Sequence, residues 1–308
     1  MNHPTALLRT TWPRPISFGF WLWLASVLFW LPYSPFSLGH VQFLLIAGPL
    51  WLVPLAWRLL SVPAWVHSLA LPAGLSFATA FLLPSGIAAA LLTLPWLLLV
   101  SALALRKLRD WSWFRDTRWA TLCLLAASLY LPVGAAWALA DRLAWQPLDF
   151  SPTITLLTAV HFHYAGFVLP LITGLALREW KARLGHWLGA GVVTGISLVA
   201  LGILSTHWDL PDWIEIVAVS IMAGSGLGTG VLHCYLARRH PVPIGRWCWR
   251  IGGMALVIGM GLALAYGWRT VWTPAFLTIP WMYAIHGSLN AVGFAIPGVL
   301  GWLSWSGK

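Results

Sequence analysis

Residues 83–109 read LPSGIAAALLTLPWLLLVSALALRKLR, and their reading decides the fold. Positions 86–105 carry no ionisable side chain. A helix of about 20 residues rises about 30 Å, the thickness of a bilayer's hydrocarbon core. Pro84, Ser85 and Gly86 break the chain just before this run, as turn residues do. Arg106, Lys107 and Arg109 close it, and cations suit both a helix C-terminus and the cytoplasmic face of a membrane. The break is short enough to fold the apolar runs on either side of it into a helical hairpin.

Outward from this hairpin the pattern repeats. Ten apolar runs are predicted to span: 16–33, 43–60, 65–83, 86–105, 119–140, 153–177, 187–204, 214–236, 251–266 and 279–303. The predicted fold is therefore all-α, a polytopic transmembrane helix bundle forming one integral membrane domain over 1–308. Of the 308 residues, 59% are hydrophobic and 8% charged, against about 25% charged in a soluble domain. That excludes a soluble enzyme, a disordered regulator and a disulfide scaffold. The three cysteines, Cys123, Cys234 and Cys248, have no close spacing and imply no disulfide framework. Arg9 and Arg14 flank the first run as in a signal peptide, but the run is too long and lacks a cleavage site; it reads as a retained signal anchor. No internal repeat, soluble domain or phosphate loop stands out.

Charge tests the span count independently. In the ten-span reading, 16 of the 18 Lys/Arg fall in alternate segments. Basic residues resist translocation, so both termini are expected in the cytoplasm and the protein in a bacterial inner membrane. The net charge of +10 then belongs to cytoplasmic loops, and no nucleic-acid partner is expected. Trp111, Trp113, Trp119, Trp187, Trp208, Trp213, Trp268 and Trp272 crowd the span ends as an interfacial belt.

Ionisable residues inside spans are costly and are functional candidates by default. The sixth run carries His161, His163 and Tyr164; the tenth carries Tyr283, His286 and Asn290. Both runs enter from the outside, and the three histidines lie seven to ten residues below the outer end, hence at one depth in the outer half of the bilayer. At about 100° per residue His161 and His163 face opposite sides of a regular helix. His286 and Asn290, four apart, share one face. One histidine of the sixth helix is expected to meet that face, the other a different neighbour. These residues are the expected lining of a pocket. Glu215, at the start of the eighth run, is a candidate negative partner, weighed against a solvated acid at a helix start. His161, His163 and His286 are also the candidate metal ligands, since imidazole binds metals and titrates near neutrality. Two other features read as packing. Gly224, Gly226, Gly228 and Gly230 form a smooth face for helix contact. His233, Cys234, His240 and Cys248 match no zinc spacing.

With the string His161-Phe162-His163-Tyr164-Ala165-Gly166-Phe167, and the later His286-Gly287, Asn290-Ala291 and Gly293-Phe294, the chain resembles the YndJ-like family of bacterial multispan membrane proteins. The likeness is seen mainly from about residue 150 onward, and its two motifs are specific as a pair. It implies a transporter without naming a substrate. The His-Phe-His-Tyr string is also similar to the haem-bearing helix of haem–copper oxidase subunit I, where histidines two apart hold two haems. The copper-site segment of that family is missing here, which excludes a full oxidase. Two functions stay open: a transporter or binder of a small molecule or ion through a histidine-lined pocket, and a membrane-embedded metal- or haem-binding oxidoreductase.

Overall fold

The computed structural model describes residues 13–30, 34–110, 118–272 and 276–306. Every regular element among them is helical. Ten helices follow one another: α1 (Arg14–Trp30), α2 (Leu38–Leu59), α3 (Ala64–Ala80), α4 (Ile87–Arg109), α5 (Trp119–Arg142), α6 (Pro152–Glu179), α7 (Leu184–His207), α8 (Trp213–Arg239), α9 (Pro243–Gly267) and α10 (Ile279–Trp305). Eight are long and apolar enough to cross a membrane; α1 and α3 have 17 residues each, about 25 Å of helix. Leu28, Ile87, Leu98, Trp187, Val231 and Met254 lie exposed, which in water would be an aggregating surface and in lipid is the solvated face.

Two boundaries differ from the hydropathy reading, for one reason. α9 begins at Pro243, ahead of the expected 251, because it takes Arg246 and Arg250 into its first turns. The Arg250 guanidinium lies over the Trp247 ring at 5.3 Å, so its stem covers apolar surface while its charge reaches the interface. α2 begins at Leu38, ahead of the expected 43, and so takes in His40 and Gln42. In both places polar residues lower the local hydropathy without ending the helix.

The expected α3–α4 hairpin forms. Gly86 takes φ 154°, a conformation open to glycine but not to L side chains, and its N–H donates to the Arg142 carbonyl at 2.7 Å. Arg142 is itself buried, paired with Asp141 at 2.6 Å and stacked over Phe81 at 4.5 Å. The hairpin tip is thus tied to the end of α5.

Close helix contact elsewhere depends on glycine. A side-chain carbon at Gly230 would come 2.7 Å from the Gly253 carbonyl oxygen, so α8 and α9 touch backbone to backbone. The α8 glycines do not form one face. Gly226 and Gly230 meet α9, Gly228 meets Leu188 on α7, and Gly224 has open space. Alternation at every second residue places successive glycines on opposite sides of a helix.

α6 is the hub of the bundle, packed against α2, α5, α7, α8 and α10. The helix ladder widens to i→i+5 bonding at four segments: Gly48–Leu52 in α2, Tyr164–Val168 in α6, and Met282–Gly287 and Leu289–Ala295 in α10. Such segments are rare and gather at functional sites. Among the described residues they fall only in these three helices.

Candidate functional site

His161 lies in the last α-helical turn of α6 before its widened segment. Its side chain is exposed, whereas the neighbouring Phe162, His163 and Tyr164 are buried. Beside it stands His286 of α10, ring centroids 6.4 Å apart and planes inclined by 27°. Among the described residues neither nitrogen of His161 has a hydrogen-bond partner.

His286 is held from behind. Its Nδ1 is 2.8 Å from the Gly259 carbonyl oxygen on α9, which fixes the proton on that nitrogen and turns the Nε2 lone pair away from α9. The Asn290 amide nitrogen is 3.2 Å from Nδ1 and 3.1 Å from Nε2; with the proton on Nδ1, Nε2 is the nitrogen that can accept its N–H. The Asn290 Oδ1 is buried without a hydrogen-bond partner. Gly259 makes the room, since a side-chain carbon there would sit 2.9 Å from that oxygen.

His163, two residues from His161, faces α4 and not His286. Its Nδ1 is 2.8 Å from the Ala159 carbonyl oxygen, and its Nε2 accepts the Trp96 indole N–H at 3.1 Å. Both nitrogens are engaged, and the ring is sealed by Phe77, Gly48 and Gly134. The three histidines therefore do not converge. Among the described residues no group of three His, Cys, Asp or Glu side chains is placed to hold one metal ion. Holding haems from both faces of α6 would need the His163 lone pair that Trp96 occupies.

Tyr164 and Tyr283 tie α2 to the site. The Tyr164 hydroxyl donates to the Leu44 carbonyl at 2.7 Å, and the Tyr283 hydroxyl donates to the Phe36 carbonyl. His40 of α2, which hydropathy hid, has its Nε2 2.8 Å from the Ser288 Oγ of α10. Helices α2, α6 and α10 run parallel, so bonded residues fix a common depth. The Tyr164–Leu44 bond joins α6 to α2 one turn beyond His161 and His40 respectively, so the two histidines lie near one level. Thus His40, His161, His286 and Ser288 form one polar layer. The one sequence signal for His40 was its type, a titratable residue beside an apolar run.

Glu215 stands apart from this layer and is not a solvated acid. It is buried at the start of α8, accepts two hydrogen bonds from Arg269 at 2.7 and 3.0 Å, and accepts a third from the Thr206 hydroxyl at 2.6 Å. Burial opposes the Arg269 charge, but the hydrogen bonds to Glu215 and the nearby Tyr266 and Asp212 outweigh it and raise the guanidinium pKa further. Glu215 is spent on joining α7, α8 and the α9–α10 loop.

At the other end of the bundle His233 repeats the His163 arrangement. Its Nδ1 is 2.9 Å from the Thr229 carbonyl oxygen, and its Nε2 accepts the Trp302 indole N–H at 3.0 Å. His240 packs edge-on to Trp249 and Trp305. These rings join helices and offer no open ligand.

A family model described as YndJ-like protein matches residues 43–294, so the likeness reaches well upstream of residue 150. A protein of Bacillus subtilis (strain 168) named "Uncharacterized membrane protein YndJ" is 31% identical over 183 residues, 58% of this chain and 32% of the relative. The chain spans about a third of the length of that relative. No solved structure matches.

Proposed function

The chain belongs to the YndJ-like family of membrane proteins, and from that premise we propose that it binds a small polar molecule or ion, for transport, between α2, α6 and α10. The observation that carries this reading is His161, an exposed histidine on a membrane-spanning helix with neither nitrogen bonded among the described residues and a second imidazole beside it. Intramembrane ionisable side chains normally pair with one another or with the backbone. His163 and His233 do so fully and His161 does not. A neutral imidazole offers one donor and one acceptor, so the pair His161 and His286 suits a solute able to give and take hydrogen bonds. Asn290, His40 and Ser288 add polar groups at or near the same depth. The basic-residue asymmetry supports a bacterial inner-membrane placement with both termini cytoplasmic, which opens the polar layer toward the outside.

A thermal-shift panel of small polar solutes and monovalent and divalent ions, run on the detergent-purified protein, tests the reading. At least one compound is expected to raise the melting temperature of the natural chain and to lose that effect in H161A and H286A. Stabilisation that persists in both variants, or no stabilisation across the panel, would overturn it.

A further inference from the structure

A second site lies at the opposite end of the bundle. A groove of about 530 Å³ opens where α5 begins, α6 ends and α7 begins, lined among others by Arg118, Trp119, Arg178, Trp180, Lys181 and His186. Three of these are permanent cations, and among the described residues that line the groove none is acidic. Arg178, Lys181 and His186 are exposed, whereas Trp119 and Trp180 are half-buried. The helix starts at Trp119 and Leu184 add the partial positive charge of two N-termini. Leu177 and Ala120 continue the groove toward the apolar body of the bundle.

This combination selects its occupant. Cations at the mouth call for an anion, and indoles with aliphatic walls below call for hydrocarbon. A molecule with a phosphodiester head and acyl tails satisfies both, and a basic pocket between helices at the membrane surface is where anionic headgroups bind. We propose that this groove binds one anionic phospholipid, its phosphate held by Arg178 and Lys181 with Arg118 alongside, its chains along Leu177 and Trp119. The site is independent of the His161 layer and stands whether or not a solute binds there.

Native mass spectrometry of the detergent-purified full chain tests it, with phosphatidylglycerol and phosphatidylcholine as competing probes. The natural chain is expected to retain phosphatidylglycerol at least tenfold over phosphatidylcholine. R178Q/K181Q is expected to lose most of that preference, and R238Q/R239Q, on a separate basic cluster, to keep it. Millimolar inorganic phosphate is expected to leave the lipid in place. Equal retention of the two lipids, a preference that survives R178Q/K181Q, a loss that R238Q/R239Q reproduces, or displacement by free phosphate would each overturn the assignment. Both substituted residues of the groove are exposed. An unchanged melting temperature in R178Q/K181Q is the check that lost lipid does not reflect lost fold.

Discussion

Replacing His161 and His163 one at a time by Ala separates the two roles assigned to neighbouring residues. At His163 the change strands the buried Trp96 indole N–H, which now donates at 3.1 Å. An unsatisfied buried donor costs about 1–3 kcal/mol, although an interhelical bond inside lipid averages only about 0.6 kcal/mol. The ring also fills space against Phe77, Gly48 and Gly134, and its removal leaves a cavity worth about 2 kcal/mol or more. H163A is therefore expected to destabilise by about 3–4 kcal/mol. At His161 no hydrogen bond among the described residues is lost and the side chain is exposed, so the expected cost is about 0.5 kcal/mol or less. Reversible denaturant unfolding in bicelles, followed by tryptophan fluorescence, measures both. If H163A fails to fold, Trp96→Phe removes the donor together with part of the buried ring, at an expected cost of about 1–3 kcal/mol, and gives the same comparison. Equal losses for His161→Ala and Trp96→Phe, or a larger one for His161→Ala, would refute the division between an open and a locked histidine.

Other consequences follow from the packing. Gly134→Ala places a carbon 2.8 Å from the His163 Nδ1 and 2.9 Å from the Phe162 Cβ, so the melting temperature should fall with an overpacking cost of about 1–3 kcal/mol. Glu215→Gln removes the charge facing Arg269 and should cost about 1–3 kcal/mol, with part of the loss recovered in Glu215→Gln/Arg269→Met because the stranded charge goes too; a double-mutant unfolding cycle reads this. Tyr130→Phe removes hydrogen bonds to the Val193 carbonyl at 2.9 Å and the Ser197 Oγ at 2.8 Å. It should loosen α5 from α7 by about 1 kcal/mol, seen as faster hydrogen exchange along α7.

The helices were legible in the sequence because hydropathy reports directly what lipid requires. Residues 83–109 read as a turn, a span and a basic stop, and α4 has that form. Hydropathy was less informative where a helix carries polar residues through the interface, as at His40 in α2 and at Arg246 and Arg250 in α9. For the candidate site, helical periodicity alone implied that His161 and His163 point apart. Which of them is open depends on Trp96, 67 residues away, and no local pattern announces that partner. Glu215 is a similar case, since its partner Arg269 lies 54 residues on. The widened segments of α2, α6 and α10 leave no composition signal, yet they mark the three helices around the polar layer.

Cysteine accessibility at positions 161 and 163 tests the central claim most directly. In a chain with Cys123, Cys234 and Cys248 replaced by Ala, His161→Cys and His163→Cys are each exposed to a membrane-impermeant thiosulfonate added to the outside of sealed cells. Rapid labelling at 161 with none at 163 is the predicted result, because the proposed site is reached by water at the exposed His161 while His163 is sealed against α4. Labelling at 163 and not at 161, or protection of both, would contradict the account.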